Sequence, residues 1–254
     1  MENRTSIFTT TDLIETSTSR KIFRLLNGTA RFSQFSFMFG PTGRGKTFAA
    51  RAWIEKYGNG AYLRAETGST QTRLRRSLSR AIFGEEDARA SHIRDFIAAH
   101  PGFVLVVDEC NHLISNPTRA GANNLDSIRD FYDEIQDAGG RFGVCFIFTD
   151  YSLERLRKCR MASFLEQFIH RGDNHLAIPE KISRTYEVAP IVKTLIPGAG
   201  DDLIDAACRI GNVRAIFKRI AVLKSFAEKS STTVTADMLT AAQLTFESGV
   251  WPEE

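Results

Sequence analysis

GPTGRGKT, residues 40–47, is the stretch on which the reading of this chain turns. It matches the pattern GxxxxGK[ST] in full. The apolar run FSFMF precedes it and KTFAARAWIEKY continues from it, so a predicted strand leads in and a predicted helix leads out, the context in which this pattern has meaning. Gly40, Gly43 and Gly45 let the backbone fold around an anion with its N–H groups turned inward. A helix opening near Gly45 aims its unpaired N–H groups and positive dipole end at phosphates. Lys46 supplies a point charge for the β- and γ-phosphates, and the Thr47 hydroxyl suits a Mg²⁺ ion. The implied cofactors are ATP and Mg²⁺, lined by Gly40, Pro41, Thr42, Gly43, Arg44, Gly45, Lys46, Thr47 and Phe48.

Working outward, a second element pairs with the first. FVLVVDE, residues 103–109, is a buried strand that delivers Asp108 to its carboxyl end, the edge at which open α/β sheets hold ligands. Asp108 is expected to orient Mg²⁺ and its waters, and Glu109 to polarise an attacking water. Thr149, closing the strand of residues 143–148, is placed to touch that water or the γ-phosphate.

Strand-length apolar runs alternate with segments of helical period, which argues for a parallel sheet with helical crossovers. Strands are predicted over 35–39, 61–64, 103–108, 143–149 and 176–178. Helices are predicted over 46–57, 72–83, 88–99, 125–138 and 153–168. After about residue 180 the strand signals cease, and short helices follow over 183–195, 201–210, 213–229 and 235–247. The organisation expected is an N-terminal segment (1–34), an α/β core (35–180) and a small all-helical domain (181–254).

Composition narrows the class further. Of 254 residues, 43% are hydrophobic and 25% charged, ordinary for a chain with a real core. A net charge of +3 permits a polyanionic partner without demanding one. The cysteines Cys110, Cys145, Cys159 and Cys208 fall in no metal-ligand spacing, so a reduced, cytoplasmic protein without disulfides is expected. Residues 1–20 have no apolar core of a signal peptide, and no run is long enough to span a bilayer.

Together these residues resemble the AAA+ ATPases. The likeness lies in a phosphate loop, a hydrophobic strand ending in Asp-Glu, a polar residue closing the next strand, and a helical lid opening with GNVR (residues 211–214). It covers roughly residues 35–247. The resemblance implies a P-loop core with strand order 5-1-4-3-2, a five-stranded parallel sheet sandwiched by helices and followed by a helical lid. It further implies ATP hydrolysis shared between subunits of a homo-oligomeric ring or filament. Carried over, Thr149 matches sensor 1 and Arg214 matches sensor 2, touching the nucleotide from the lid. Arg171, in EQFIHRGDN, holds the place of an arginine finger acting on a neighbour's γ-phosphate, with Arg160 as the alternative.

Within that family the compact plan is similar to the DNA-transposition helper ATPases, a group that includes the phage Mu B protein, C-type transposon regulators and insertion-sequence helpers. The segment EQFIHRGDNHLAIPE and the last helices carry this likeness. It implies double-stranded DNA and a transposase as partners. A helicase loader or a scaffold for signalling, acting on a protein partner, is the alternative.

One segment gives the DNA reading its own footing. In TRLRRSLSRAIF, residues 72–83, Arg73, Arg76 and Arg80 share one helical face while Leu74, Leu78 and Ile82 share another. No acidic residue occurs from 67 to 84. Such an arginine stripe suits contact with a phosphate backbone, and a solvated face pairing with Glu85, Glu86 and Asp87 is the other reading. Arg119, in the loop of residues 116–124, is a further candidate contact.

Overall fold

The computed structural model describes residues 13–66, 71–85, 88–114, 119–149, 169–170, 172 and 174–248. The chain falls into two compact units. One is built from Lys21–Pro41 and Lys46–Ile178, the other from Ile14–Arg20, Thr42–Gly45 and Pro179–Glu254.

The first unit is built on five parallel strands: β1 (Phe35–Phe39), β2 (Gly60–Arg64), β3 (Phe103–Asp108), β4 (Phe142–Phe148) and β5 (Asn174–Ala177). Their spatial order is β2-β3-β4-β1-β5, the expected 5-1-4-3-2 read from the other edge. Strands β1, β3 and β4 are buried along their whole length. A strand covered on both faces can be apolar at every position rather than at alternate ones, which is why FSFMF, FVLVVD and FGVCFIF read as unbroken runs. The edge strand β5 alternates between half-buried and exposed residues. It begins two residues before the expected start: Asn174 pairs with Ser36, and the His175 ring stacks on Phe37 at 5.2 Å.

Alternation along each strand divides the core in two. Phe35, Phe37, Phe39, Leu105, Val107, Phe146 and Phe148 face Leu74, Leu78, Ile93, Ile97, Leu125, Ile128 and Ile135, carried by α3 (Gln71–Phe83), α4 (Ala90–Ala99) and α6 (Arg119–Asp137). Met38, Val104, Val106, Cys145 and Ile147 face Ile22, Leu25, Leu26, Ala49, Ala50 and Trp53, carried by α1 (Ser17–Phe32) and α2 (Lys46–Tyr57). A single turn, α5 (Asn111–Ile114), follows β3.

Helix α1 lies in the N-terminal segment of residues 1–34, for which the sequence reading predicts no element. Ile22, Leu25 and Leu26 are buried at helical spacing, and the buried Thr29 hydroxyl donates to Leu25 O at 2.9 Å and lies 2.7 Å from Ser36 Oγ, from which it can accept. The stripe is short, and Gly28 interrupts it, which dilutes the signal of a helix. The helix expected over 153–168 lies outside the described residues.

The second unit packs α7 (Ala189–Leu195), α8 (Asp201–Ile210), α9 (Val213–Ser230) and α10 (Ala236–Ser248) around Ile191, Val192, Leu203, Ile204, Ala207, Ile216, Ile220 and Leu239. One α-helix over 183–195 was expected. Instead Arg184–Val188 forms a π-helical turn in which Ser183 O accepts from both Glu187 N and Val188 N, each at 3.0 Å. Pro190 has no N–H to continue the α ladder, so α7 starts afresh with that proline in its first turn. Gly211, left-handed at φ 68°, ends α8, and the Asn212 side chain caps α9 by accepting from Ala215 N at 3.1 Å.

Candidate functional site

In the first unit, β1 ends at Phe39 and α2 starts at Lys46, so the strand and the helix fix both ends of the phosphate loop. Lys46 is buried and its ammonium donates to Gly40 O at 2.5 Å and Pro41 O at 2.7 Å. Those carbonyls hold the charge against the loop's own backbone. One residue on, the Thr47 hydroxyl donates to Asp108 Oδ2 at 2.6 Å. The two sequence elements separated by 61 residues therefore meet through a direct bond.

Asp108, 4% exposed, accepts two further bonds: Tyr62 Oη donates to the same Oδ2 at 2.7 Å, and Glu109 N–H donates to Oδ1 at 2.7 Å. Glu109 itself is half-buried and left-handed, with φ 54°. That conformation is strained for a residue with a long side chain. It is held by the bond to Asp108 and by Cys110 N–H donating to Ile147 O at 3.0 Å. Backbone strain of this kind gathers at functional positions. Thr149 follows β4, the strand beside β3, and is half-buried. Phe48 lies half-buried in the first turn of α2.

Burial, followed by the charge of Asp108 and the bond to it, raises the Tyr62 phenol well above the ordinary range, with Arg51 opposing. The Arg51 guanidinium lies over the Tyr62 ring at 4.2 Å from its centroid. Neither Tyr62 nor Arg51 was singled out from sequence. The available signal was local: in GAYLR, Ala61 and Leu63 enter the core, which turns Tyr62 to the other face of an edge strand.

The second unit holds the tip of the loop. Arg44 is buried, and its guanidinium donates to Pro179 O at 2.5 Å, Glu180 O at 2.7 Å and Glu187 Oε2 at 2.7 Å. Glu187 also accepts from the Thr18 hydroxyl, and from Ser183 N–H at 2.8 Å. The Arg44 side chain, expected to line the nucleotide, is thus committed to protein partners, and what this residue can offer a phosphate is its backbone N–H. Gly43 O accepts from Arg214 N–H at 3.1 Å, so the unit brings GNVR against the loop tip, with the Arg214 side chain exposed. Gly43 has φ 75°, and a Cβ there would fall 2.3 Å from Asn212 Nδ2. Gly45, at φ 80°, has nothing within 4 Å of where a Cβ would stand. That open space leaves the backbone there accessible, as close approach of an anion requires.

These residues suit ATP and Mg²⁺. The cation takes near-octahedral oxygen ligands, commonly one or two from protein and the rest from phosphates and water. The Thr47 hydroxyl and Asp108 carboxylate are such a donor set, already drawn together. Among the described residues no group of three or more His, Cys, Asp or Glu side chains is placed to hold a metal by itself.

Of the other candidates, Arg73, Arg76 and Arg80 are exposed on α3 while Leu74 and Leu78 are 8% exposed. Arg119 is the first residue of α6. Arg160 and Arg171 lie outside the described residues. No helix among the described residues is long and apolar enough to cross a membrane.

The parallel sheet of this order, its phosphate loop and the helical C-terminal region make a P-loop fold of the AAA type. Comparison with known proteins agrees. Residues 31–156 match the AAA-domain family. Among solved structures, a Walker-type ATPase of Pyrococcus abyssi superposes with a TM-score of 0.67 at 14% identity, covering 94% of this chain and 73% of that one. The RuvB Holliday junction branch migration motor of Thermotoga maritima gives 0.54 at 14% identity, covering 89% and 67%. The replication initiator DnaA, bound to AMPPCP and single-stranded DNA, gives 0.56 at 14% identity, covering 90% and 70%. At these identities the likeness is one of fold. Comparison with curated protein sequences gives no match.

Proposed function

We propose that this chain is an ATP-hydrolysing AAA+ switch that assembles on duplex DNA as a homo-oligomer and recruits a transposase to its target. The observation that carries the ATPase part is the convergence of Lys46, Thr47, Asp108 and Glu109 on one end of the sheet. In this reading the loop N–H groups and Lys46 bind the β- and γ-phosphates of ATP. Thr47 and Asp108 would hold Mg²⁺, which would neutralise charge on the phosphate oxygens. Glu109 accepts a hydrogen bond from the attacking water and orients it toward the γ-phosphorus. Water's oxygen bonds to phosphorus as the bond to the ADP oxygen breaks, leaving ADP and inorganic phosphate. Thr149 would touch the attacking water or the γ-phosphate, Arg214 the bound nucleotide, and Arg171 a neighbouring subunit's γ-phosphate.

The DNA part is supported by the exposed Arg73, Arg76 and Arg80 on a helix anchored through Leu74 and Leu78. Structures of the same fold also include a branch migration motor and an initiator bound to single-stranded DNA. The transposase rests on the resemblance to the transposition helpers alone. Negative-stain electron microscopy of the chain with duplex DNA tests the assembly. Filaments or stacked rings that form only with a non-hydrolysable ATP analogue are expected. Rings that ignore DNA would move the function to a protein client, as in a helicase loader or scaffold.

A further inference from the structure

Asp108 is almost wholly buried, and an ionised carboxylate there only accepts hydrogen bonds. Its three donors come from three places: Thr47 on α2, Tyr62 on β2 and the Glu109 backbone. Two of them have evident reasons to exist. Thr47 belongs to the phosphate loop, and the Glu109 bond shapes the end of β3. Tyr62 has neither reason. It stands opposite Val106 in the register of β2 with β3, and its ring reaches along the strand so that the hydroxyl lands on Oδ2.

A phenylalanine would serve the packing of that ring equally well, against Arg51 on one side and the sheet on the other. The hydroxyl adds the bond it donates to Asp108 and a place for Arg51 to meet it. We propose that Tyr62 is a positioning residue that fixes the Asp108 carboxylate for Mg²⁺, with Arg51 fixing Tyr62 in turn; this rests on the ATPase reading above. Thr47 lies at the junction with the nucleotide, and its hydroxyl oxygen is itself wanted by the cation. Tyr62 donates from the sheet, so its hold on the carboxylate does not depend on what occupies the loop.

The test uses the full chain, wild type and Tyr62→Phe, with Mn²⁺ as the probe ion. Three quantities are read: the affinity of a fluorescent ATP analogue without metal, Mn²⁺ binding to the nucleotide complex by electron paramagnetic resonance, and kcat with KM for ATP. Removing a group that orients a metal ligand weakens metal affinity or activity by about 10–100-fold. The expected result for Tyr62→Phe is a loss at the lower end, about tenfold, in Mn²⁺ affinity and in kcat. Metal-free analogue affinity, KM and the melting midpoint should hold. A general loss of structure would move all of these together and overturn the proposal. Wild-type Mn²⁺ affinity and kcat in Tyr62→Phe would also overturn it, leaving the ATPase reading in place. A wild-type chain that binds analogue but neither takes up Mn²⁺ nor turns over would instead overturn the ATPase reading, and the proposal with it.

Discussion

Arg44 and Glu187 form an ion pair of 2.7 Å with 2% and 4% of their side chains exposed, and Arg44 is a residue of the phosphate loop itself. A loop proposed to bind phosphate through its backbone is thereby held at its tip by a side chain committed to protein partners. The carbonyls of Pro179 and Glu180 and the hydroxyl of Thr18 complete the network. Within the helical unit this makes residues 42–45 part of the packing rather than a free turn.

Removing one charge of such a pair leaves the other buried and uncompensated, a loss of about 3–5 kcal/mol. Glu187→Gln is expected to lower stability by an amount of that order in chemical denaturation. Arg44→Met with Glu187→Leu, which removes both charges, should recover most of it, because well-packed apolar replacements of buried pairs are commonly neutral. Equal loss in the single and double variants would mean that packing, not charge, dominates there.

Gly43 and Gly45 separate backbone geometry from contact. Both are left-handed, and a Cβ in that conformation costs roughly 1–2 kcal/mol. Only at Gly43 does the Cβ also meet Asn212, at 2.3 Å. Gly43→Ala should therefore reduce thermal stability more than Gly45→Ala. Gly45→Ala should show its effect in nucleotide binding, since its Cβ enters open space beside the proposed phosphate loop. Calorimetric titration with an ATP analogue, beside melting curves, distinguishes the two.

Much of the site was legible because its chemistry is local in sequence. Eight consecutive residues carry the phosphate loop, and FVLVVDE carries one carboxylate at the end of β3 and the other directly after it. Three strands read correctly to within a residue because they are buried on both faces and need no alternation to be seen. Contacts between distant segments were not legible. Tyr62 looks like any strand tyrosine until β2 lies beside β3. Glu187 is a lone acid in an apolar stretch, and only the π-helical turn before Pro190 aims it at Arg44. Helix α1 was hidden for a different reason: its fully buried apolar stripe is three residues, Ile22, Leu25 and Leu26, and Gly28 follows soon after.

The buried thiols give a pH prediction. Burial pushes the Cys145 thiol from 9.0 up to about 12, and raises Cys110 well above its ordinary value. A raised thiol holds its proton in the folded state, so its contribution is full below the unfolded value. It is lost as pH rises from about 9 toward about 12. Each such group contributes a slope of about 1.4 kcal/mol per pH unit in that window. Denaturation midpoints should be insensitive to these thiols at neutral pH and fall above pH ~9. Cys145→Ala should flatten the fall. Both cysteines should also resist alkylation until the chain unfolds.

The arginine face of α3 is tested by charge reversal. Arg73→Glu, Arg76→Glu and Arg80→Glu together should weaken duplex binding while ATP-analogue affinity holds. Each lost phosphate contact should reduce the slope of log K against log salt by about 1. Unchanged DNA affinity would remove this face from the interface.

The most direct measurement of the central claim is the anisotropy of a labelled duplex titrated with the chain, with and without a non-hydrolysable ATP analogue and Mg²⁺, beside Lys46→Ala. The account predicts tight, salt-sensitive binding with the analogue, weak binding without it, and no analogue dependence in Lys46→Ala. Duplex binding of equal strength in all three would contradict it, because the phosphate loop would then have no hold on DNA.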